Sequence, residues 1–239
     1  MSSPQRFSKG VTNVTSDKTM GQLVIPDPTS VHVFMDDFNK FVPGDWFITR
    51  IHAGTTAGTE TISDADGGIL VITPATADDD STYFQHKAYD NVSTASEIFT
   101  FEAGKKLYFK ARFKVSDVTQ SDFFVGLQSA DTTPLTSPVD AAWFISDDGD
   151  ANLDFGIYSS SVSLLADTGV ATLANDTYFT VGFWADGVSG LHYFYNDVEV
   201  GDTTVSLPTA EMTISFGVRN GAAAAKVMSV DYICAIKTR

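Results

Sequence analysis

Along residues 107–117, LYFKARFKVSD, apolar and polar side chains alternate. Leu107, Phe109, Ala111, Phe113 and Val115 share one parity; Tyr108, Lys110, Arg112, Lys114 and Ser116 share the other. Successive side chains of a strand point to opposite faces, so this stretch predicts a half-buried strand with a basic outer face. Similar short runs follow one another from residue 31: 31–38, 45–51, 67–73, 81–87, 97–101, 123–129, 141–146, 153–159, 177–187, 190–202, 212–220 and 226–238. Asn196-Asp197 between Tyr195 and Val198 suits a two-residue hairpin turn. In the last run Met228, Val230, Tyr232, Cys234 and Ile236 fall on one parity and are expected on one face. No stretch holds a helical apolar period, and the run 222–225 of alanines is far shorter than the ~12 residues a lone helix needs. Many short strands with turns between them predict an all-β, two-sheet antiparallel sandwich or jelly roll over 31–239. Residues 1–30 are polar, lack alternation and carry Pro4, Pro26 and Pro28; they read as an extended N-terminal arm.

Charge narrows the partners. Lys plus Arg is 15 and Asp plus Glu is 30, a formal net charge of −15. Such a body repels phosphate backbones, which excludes nucleic acid as the expected partner. No run approaches the ~18 apolar residues of a membrane span, and the start MSSPQRFSKG lacks the apolar segment of a secretory signal. Cys234 is the only cysteine, so no intrachain disulfide forms, in keeping with a reducing compartment. Within its apolar run it reads as an inert, buried thiol.

Candidate chemistry is sparse. His32, His52, His86 and His192 share no metal-ligand spacing, and they read as ordinary sheet residues. The densest acidic cluster, SDDGDANLD at 146–154, places Asp147, Asp148, Asp150 and Asp154 as weak candidates for Ca²⁺. It misses the EF-hand spacing, and DDGD also makes a tight turn between strands. The strand-rich, aromatic pattern resembles the concanavalin-like jelly roll of lectins, laminin-G-like modules and some glucanases. That resemblance implies a search for the glucanase signature Glu-x-Asp-x-x-Glu, whose retaining chemistry needs carboxyls about 5–5.5 Å apart. Only Glu97 and Glu102 in EIFTFE have the spacing, and Phe99 stands in place of the middle Asp, so solvated carboxylates are expected and no catalytic residue is assigned. A lectin-like site would need an exposed aromatic beside Asp, Asn or Gly; Trp143, or Trp184 beside Asp186-Gly187, meets that pattern, though both also suit a sandwich core.

RFSKGVTNV (6–14), GKKLYFKARFKVSD (104–117), SDFFVGLQSADTTPL (121–135), DDGDANLDFG (147–156) and VDYICAIKTR (230–239) together resemble virion structural proteins of tailed bacteriophages that decorate or cement the head. The resemblance implies a non-enzymatic protein of the capsid surface, assembled in the host cytoplasm. It would bind the major capsid protein or other virion subunits, with self-association or a glycan as further partners and no cofactor. The alternative is a carbohydrate-binding module displayed on the virion for host attachment, or a tail or fibre component. Candidate partner-binding residues are Arg6, Phe7, Lys9, Val11 and Val14 of the arm, with Lys110, Arg112 and Lys114 of the basic strand face. An arm adds main-chain hydrogen bonds at a partner's sheet edge and gains avidity when the body also binds. For the three basic residues two readings stand: cross-strand pairing with Asp of the same sheet, or contact with an acidic shell subunit.

Overall fold

The computed structural model describes residues 11–12, 24–25, 29–65, 67–87, 98–136, 138–188 and 190–239. In chain order the strands are β1 (Val11–Thr12), β2 (Val24–Ile25), β3 (Val31–Asp36), β4 (Trp46–Ile51), β5 (Thr59–Ala65), β6 (Gly67–Thr73), β7 (Ser81–His86), β8 (Leu107–Val115) and β9 (Ser121–Gln128). They continue as β10 (Ala141–Ser146), β11 (Asn152–Ser159), β12 (Val162–Thr172), β13 (Phe179–Ala185), β14 (Leu191–Tyr195), β15 (Val198–Thr203), β16 (Thr213–Asn220) and β17 (Met228–Thr238). Among the described residues the only helical element is a 3-10 turn at Pro43–Asp45, and no helix is long and apolar enough to cross a membrane.

Two antiparallel sheets carry the body. One has seven strands in the order β12-β11-β10-β9-β16-β7-β4. The other has eight, in the order β15-β14-β13-β8-β17-β6-β5, with β3 also paired to β17. The long β17 makes this possible: its first part, Met228–Val230, pairs with β6, and residues 233–238 pair with β3 on the same side. Asn196 and Asp197 both take positive φ, 49° and 63°, and form the expected hairpin turn between β14 and β15. The short β1–β2 pair forms a sheet of its own.

The core lies between the sheets. Leu107, Phe109, Ala111, Phe113 and Val115 of β8 all enter it, as their parity requires. Phe113 meets Phe123 of the opposite sheet edge-on at 5.6 Å, and Phe155 stacks on Tyr193 at 4.3 Å across the same gap. Burying side chains of this size contributes roughly 1.5–3 kcal/mol each.

Three sequence expectations change. β17 carries a bulge between Val230 and Tyr232, which admits Asp231 as an extra residue and reverses the parity beyond it. Met228, Val230, Ile233 and Ala235 are core residues, whereas Tyr232, Cys234 and Ile236 turn to the outer face. The run expected at 97–101 is no strand over its described part: Phe99 makes a single bridge to Met212. β5 and β12 are strands that alternation does not announce; each lies at or beside a sheet edge, where little of a strand is buried.

Candidate functional site

The two sheets differ on their outer faces. On the seven-stranded sheet, Tyr83, Phe124 and Trp143 project outward from β7, β9 and β10, yet all three are buried; Trp143 is 2% exposed. The described part of the β9–β10 loop, 129–136 and 138–140, meets them through Leu135, which packs into the cluster, and the loop is tied down from the sheet. Gln85 Nε2 donates to Ser129 O at 3.1 Å and to Ser215 Oγ at 3.0 Å, while Gln85 Oε1 accepts from Asp131 N at 2.8 Å. Gln128 Nε2 donates to Pro134 O at 2.7 Å. The rings lie close to the sheet because glycines sit beneath them. A Cβ at Gly156 would stand 2.7 Å from Trp143 Nε1, and one at Gly217 would stand 2.7 Å from a Tyr83 ring carbon. Beside this cluster the buried Asp122 is paired with Arg219 at 2.8 Å.

The Ca²⁺ candidates sit at the end of the same sheet, in the β10–β11 turn and at the start of β11. Asp150 caps the turn through Asn152 N at 2.7 Å, and Asp154 accepts from Gly169 N at 2.7 Å. The backbone N–H of Asp148 donates to Asp122 at 3.0 Å. Burial, and then the neighbouring Asp122 and Asp154, hold the Asp147 carboxyl above its ordinary range. Among the described residues no group of three or more His, Cys, Asp or Glu side chains is placed to hold a metal ion. Residues 148–150 form the turn between β10 and β11.

The outer face of the eight-stranded sheet is open. Here Lys110, Arg112 and Lys114 each meet an Asp: Asp197 at 2.5 Å, Asp231, and Asp176 at 3.4 Å. Tyr178 lies under the Arg112 guanidinium at 4.4 Å and near Lys114 at 5.4 Å. Asp231 reaches Arg112 because the bulge places it there. Overlapping this basic stripe at the Lys110–Asp197 pair runs a largely apolar groove of about 450 Å³, lined by Met35, Tyr108, Trp184, Phe194, Cys234 and Ile236 among others. Met35 is 53% exposed and Tyr108 43%. Cys234 is half-buried in this groove rather than packed in the core, and burial raises its thiol pKa, with Lys110 acting in the opposite direction.

At one end of that face, three rings form a row across adjacent strands. Tyr108 and Trp184 are register partners stacked at 5.9 Å, and Trp184 and His192 are partners stacked at 5.1 Å. His192 Nδ1 is 2.7 Å from Glu199 Oε1. Trp184 lines the groove, and the residues after it, Ala185, Asp186 and Gly187, line a second cleft of about 370 Å³. That cleft is walled by Phe101, Glu102, Lys105 and Leu207 from the neighbouring loops. Asp186 Oδ1 accepts the N–H groups of Val188 at 2.7 Å and Gly190 at 3.0 Å, which shapes its loop.

Of the glucanase-like pair, Glu102 lies at this cleft and is paired with Lys237 at 3.1 Å. Glu97 lies outside the described residues, as do Arg6, Phe7, Lys9 and Val14; Val11 is described as part of β1. The histidines are dispersed. His32 packs on Phe99 at 5.0 Å, His52 Nδ1 lies 2.8 Å from Gly54 O, and His86 is enclosed by Phe34 and Trp46. Burial lowers the His86 pKa to about 4, partly offset by Asp45. Of the residues that meet here, the sequence pattern offers Trp184 beside Asp186-Gly187 as a candidate, and it does not single out Tyr108, Lys105 or the groove. Tyr108 alternates against the core residues of β8, and that polar-face parity was the available signal.

No protein-family model matches the sequence, and no curated protein matches it. Solved structures do. A protein of unknown function, SO2946 from Shewanella oneidensis MR-1, superposes with a TM-score of 0.58 at 16% identity, covering 87% of each chain. The fold is the concanavalin-like β-sandwich. The β-glucanase of Bacillus licheniformis superposes at 0.56 with 13% identity over 84% of this chain and 96% of its own. The carbohydrate recognition domain of Emp47p superposes at 0.55 with 12% identity over 87% and 97%. Identities this low show a common fold and carry no residue across.

Proposed function

We propose that the chain is a non-catalytic carbohydrate-binding module whose ligand sits at the open end of the eight-stranded sheet. One observation carries this reading: the row Tyr108–Trp184–His192 stands between an apolar groove and a cleft edged by Glu102, Lys105 and Asp186. Sugar rings present apolar C–H faces and a rim of hydroxyls, so an aromatic row beside polar loop groups suits both. The same sandwich supports a β-glucanase and a carbohydrate recognition domain, which raises the prior for a glycan ligand without assigning one. On the other outer face the aromatics Tyr83, Phe124 and Trp143 are buried, with Leu135 of the β9–β10 loop packed into their cluster.

Titration of the full chain against a panel of soluble glucans and uronate polymers, with a glycan array alongside, tests the proposal. Binding that falls at least tenfold in Trp184→Ala and Tyr108→Ala, with unchanged melting behaviour of Tyr108→Ala, supports it. Absence of binding to every glycan overturns it, and turnover of any of them overturns its non-catalytic part.

The second reading places the module on a virus particle. It is favoured by the β1–β2 pair, which belongs to neither body sheet among the described residues and so leaves strand edges for a partner's sheet. Removing residues 1–30 and mixing the body with undecorated phage heads tests this: retained binding counts against a role for the arm.

A further inference from the structure

We infer that the glycan bound at this end of the eight-stranded sheet is acidic, a polymer carrying uronate carboxylates. The inference rests on the carbohydrate-binding reading and deepens it. Its starting point is the pair Lys105-Lys106, the two residues that lead into β8. The two serve different parts of the site. Lys105 is half-buried in the wall of the cleft. Lys106 is exposed, with Nζ 5.9 Å from the centroid of the Trp184 ring.

Neither lysine makes an ion pair among the described residues. This sets them apart from the neighbouring lysines Lys110 and Lys237, which are paired with Asp197 and Glu102. Glu199 Oε1 lies 2.7 Å from the His192 ring, and Asp202, the register partner of His192, is exposed and makes no ion pair among the described residues. Asp186 is engaged by the N–H groups of its own loop. Two lysines thus flank the site, Lys105 in the lining of the cleft and Lys106 with its ammonium beside the aromatic row, in a chain whose net charge is −15.

The energetics favour an anionic ligand on two counts. A neutral polymer laid over the row would take Lys105 and Lys106 out of water without giving either a counter-charge, which is unfavourable. A carboxylate supplies charge-assisted hydrogen bonds instead, and a site built to pair a charged group discriminates against the analogue that lacks it. The bulk field works the other way. An acidic body repels polyanions, so a preference for them can arise only from local cations at close range.

The test compares polygalacturonate and polyglucuronate with the same polymers after reduction of their carboxyls to alcohols, each titrated into the full chain at low and high salt. The expected result is at least tenfold tighter binding of the acidic polymers, weakening as salt rises. The Lys105→Gln, Lys106→Gln double variant should lose that preference while keeping the weaker affinity seen for the reduced polymers. A Lys40→Gln, Lys87→Gln variant, at two other lysines without ion pairs among the described residues, should keep it. Equal affinity for acidic and reduced polymers, or a preference that survives in the double variant, overturns the inference and leaves the carbohydrate reading standing. No binding to any acidic, reduced or neutral polymer overturns both.

Discussion

The outer faces of the two sheets carry similar side chains and end in opposite states. Tyr83, Phe124 and Trp143 on the seven-stranded sheet are buried against Leu135 of the β9–β10 loop, whose residues 129, 131 and 134 are held by Gln85 and Gln128. Tyr108, Trp184, Phe194 and Met35 on the eight-stranded sheet line an open groove. The contrast shows that an aromatic residue on an outer face is neither core nor site by its type. Whether a loop has the reach and the hydrogen-bonding partners to cover it decides which it becomes. Covering the first face converted three aromatics into a second hydrophobic cluster, and leaving the second face uncovered kept a surface for a ligand.

That comparison can be broken first at its most buried ring. Trp143→Ala removes a fully packed side chain and should destabilise the protein by about 3–5 kcal/mol in equilibrium denaturation. A loss below ~1 kcal/mol would mean that the closed face is not cohesive. Next comes the fastening of the loop. Gln85→Ala leaves Asp131 N and Ser129 O without their partner and should cost about 1–3 kcal/mol. It should also make the amides of loop 129–140 exchange faster, which hydrogen-exchange measurement reads directly.

A smaller effect belongs to pH. His86 on β7 has its pKa lowered to about 4 by burial, against 6.5 for the free side chain. Between those values the unfolded chain binds a proton that the folded chain refuses. Stability is therefore complete above about pH 6.5 and declines as pH falls towards 4. The melting temperature of His86→Gln, compared at pH 7 and pH 5, should fall less than that of the parent. An equal fall would place the acid sensitivity elsewhere.

The smallest effect is expected on the open face. Lys110→Ala removes an exposed pair with Asp197 and should change stability by less than ~1 kcal/mol. A larger change would show that the basic stripe is part of the framework rather than its surface.

Much of the fold was legible in the chain, and the reasons are local. β8 was readable because every second residue from Leu107 to Val115 is apolar and every one of those enters the core. The β14–β15 turn was readable because Asn196 and Asp197 tolerate positive φ. β12 was not, since an edge strand buries too little of either face to impose alternation. The second half of β17 has the parity opposite to the one its pattern predicts, because a bulge at Asp231 is invisible to a strict period of two. Pairing of Lys110, Arg112 and Lys114 with Asp is in keeping with the abundance of Asp, but only Asp231 lies in a strand, while Asp197 and Asp176 sit in turns whose approach the sequence does not show.

Taken alone, the sequence determined the class of this protein. Period-two alternation and turn residues act over a few neighbouring positions, and they suffice to specify strands, hairpins and an antiparallel sandwich. Only the tertiary structure decided which outer face is closed and which is open. β9 is buried on both sides, so its composition cannot say whether a loop or a ligand covers the second one. The answer depends on contacts such as Gln85 to Ser129 and Tyr108 to Trp184, made between residues far apart in the chain, and such contacts exist only once the sheets have formed.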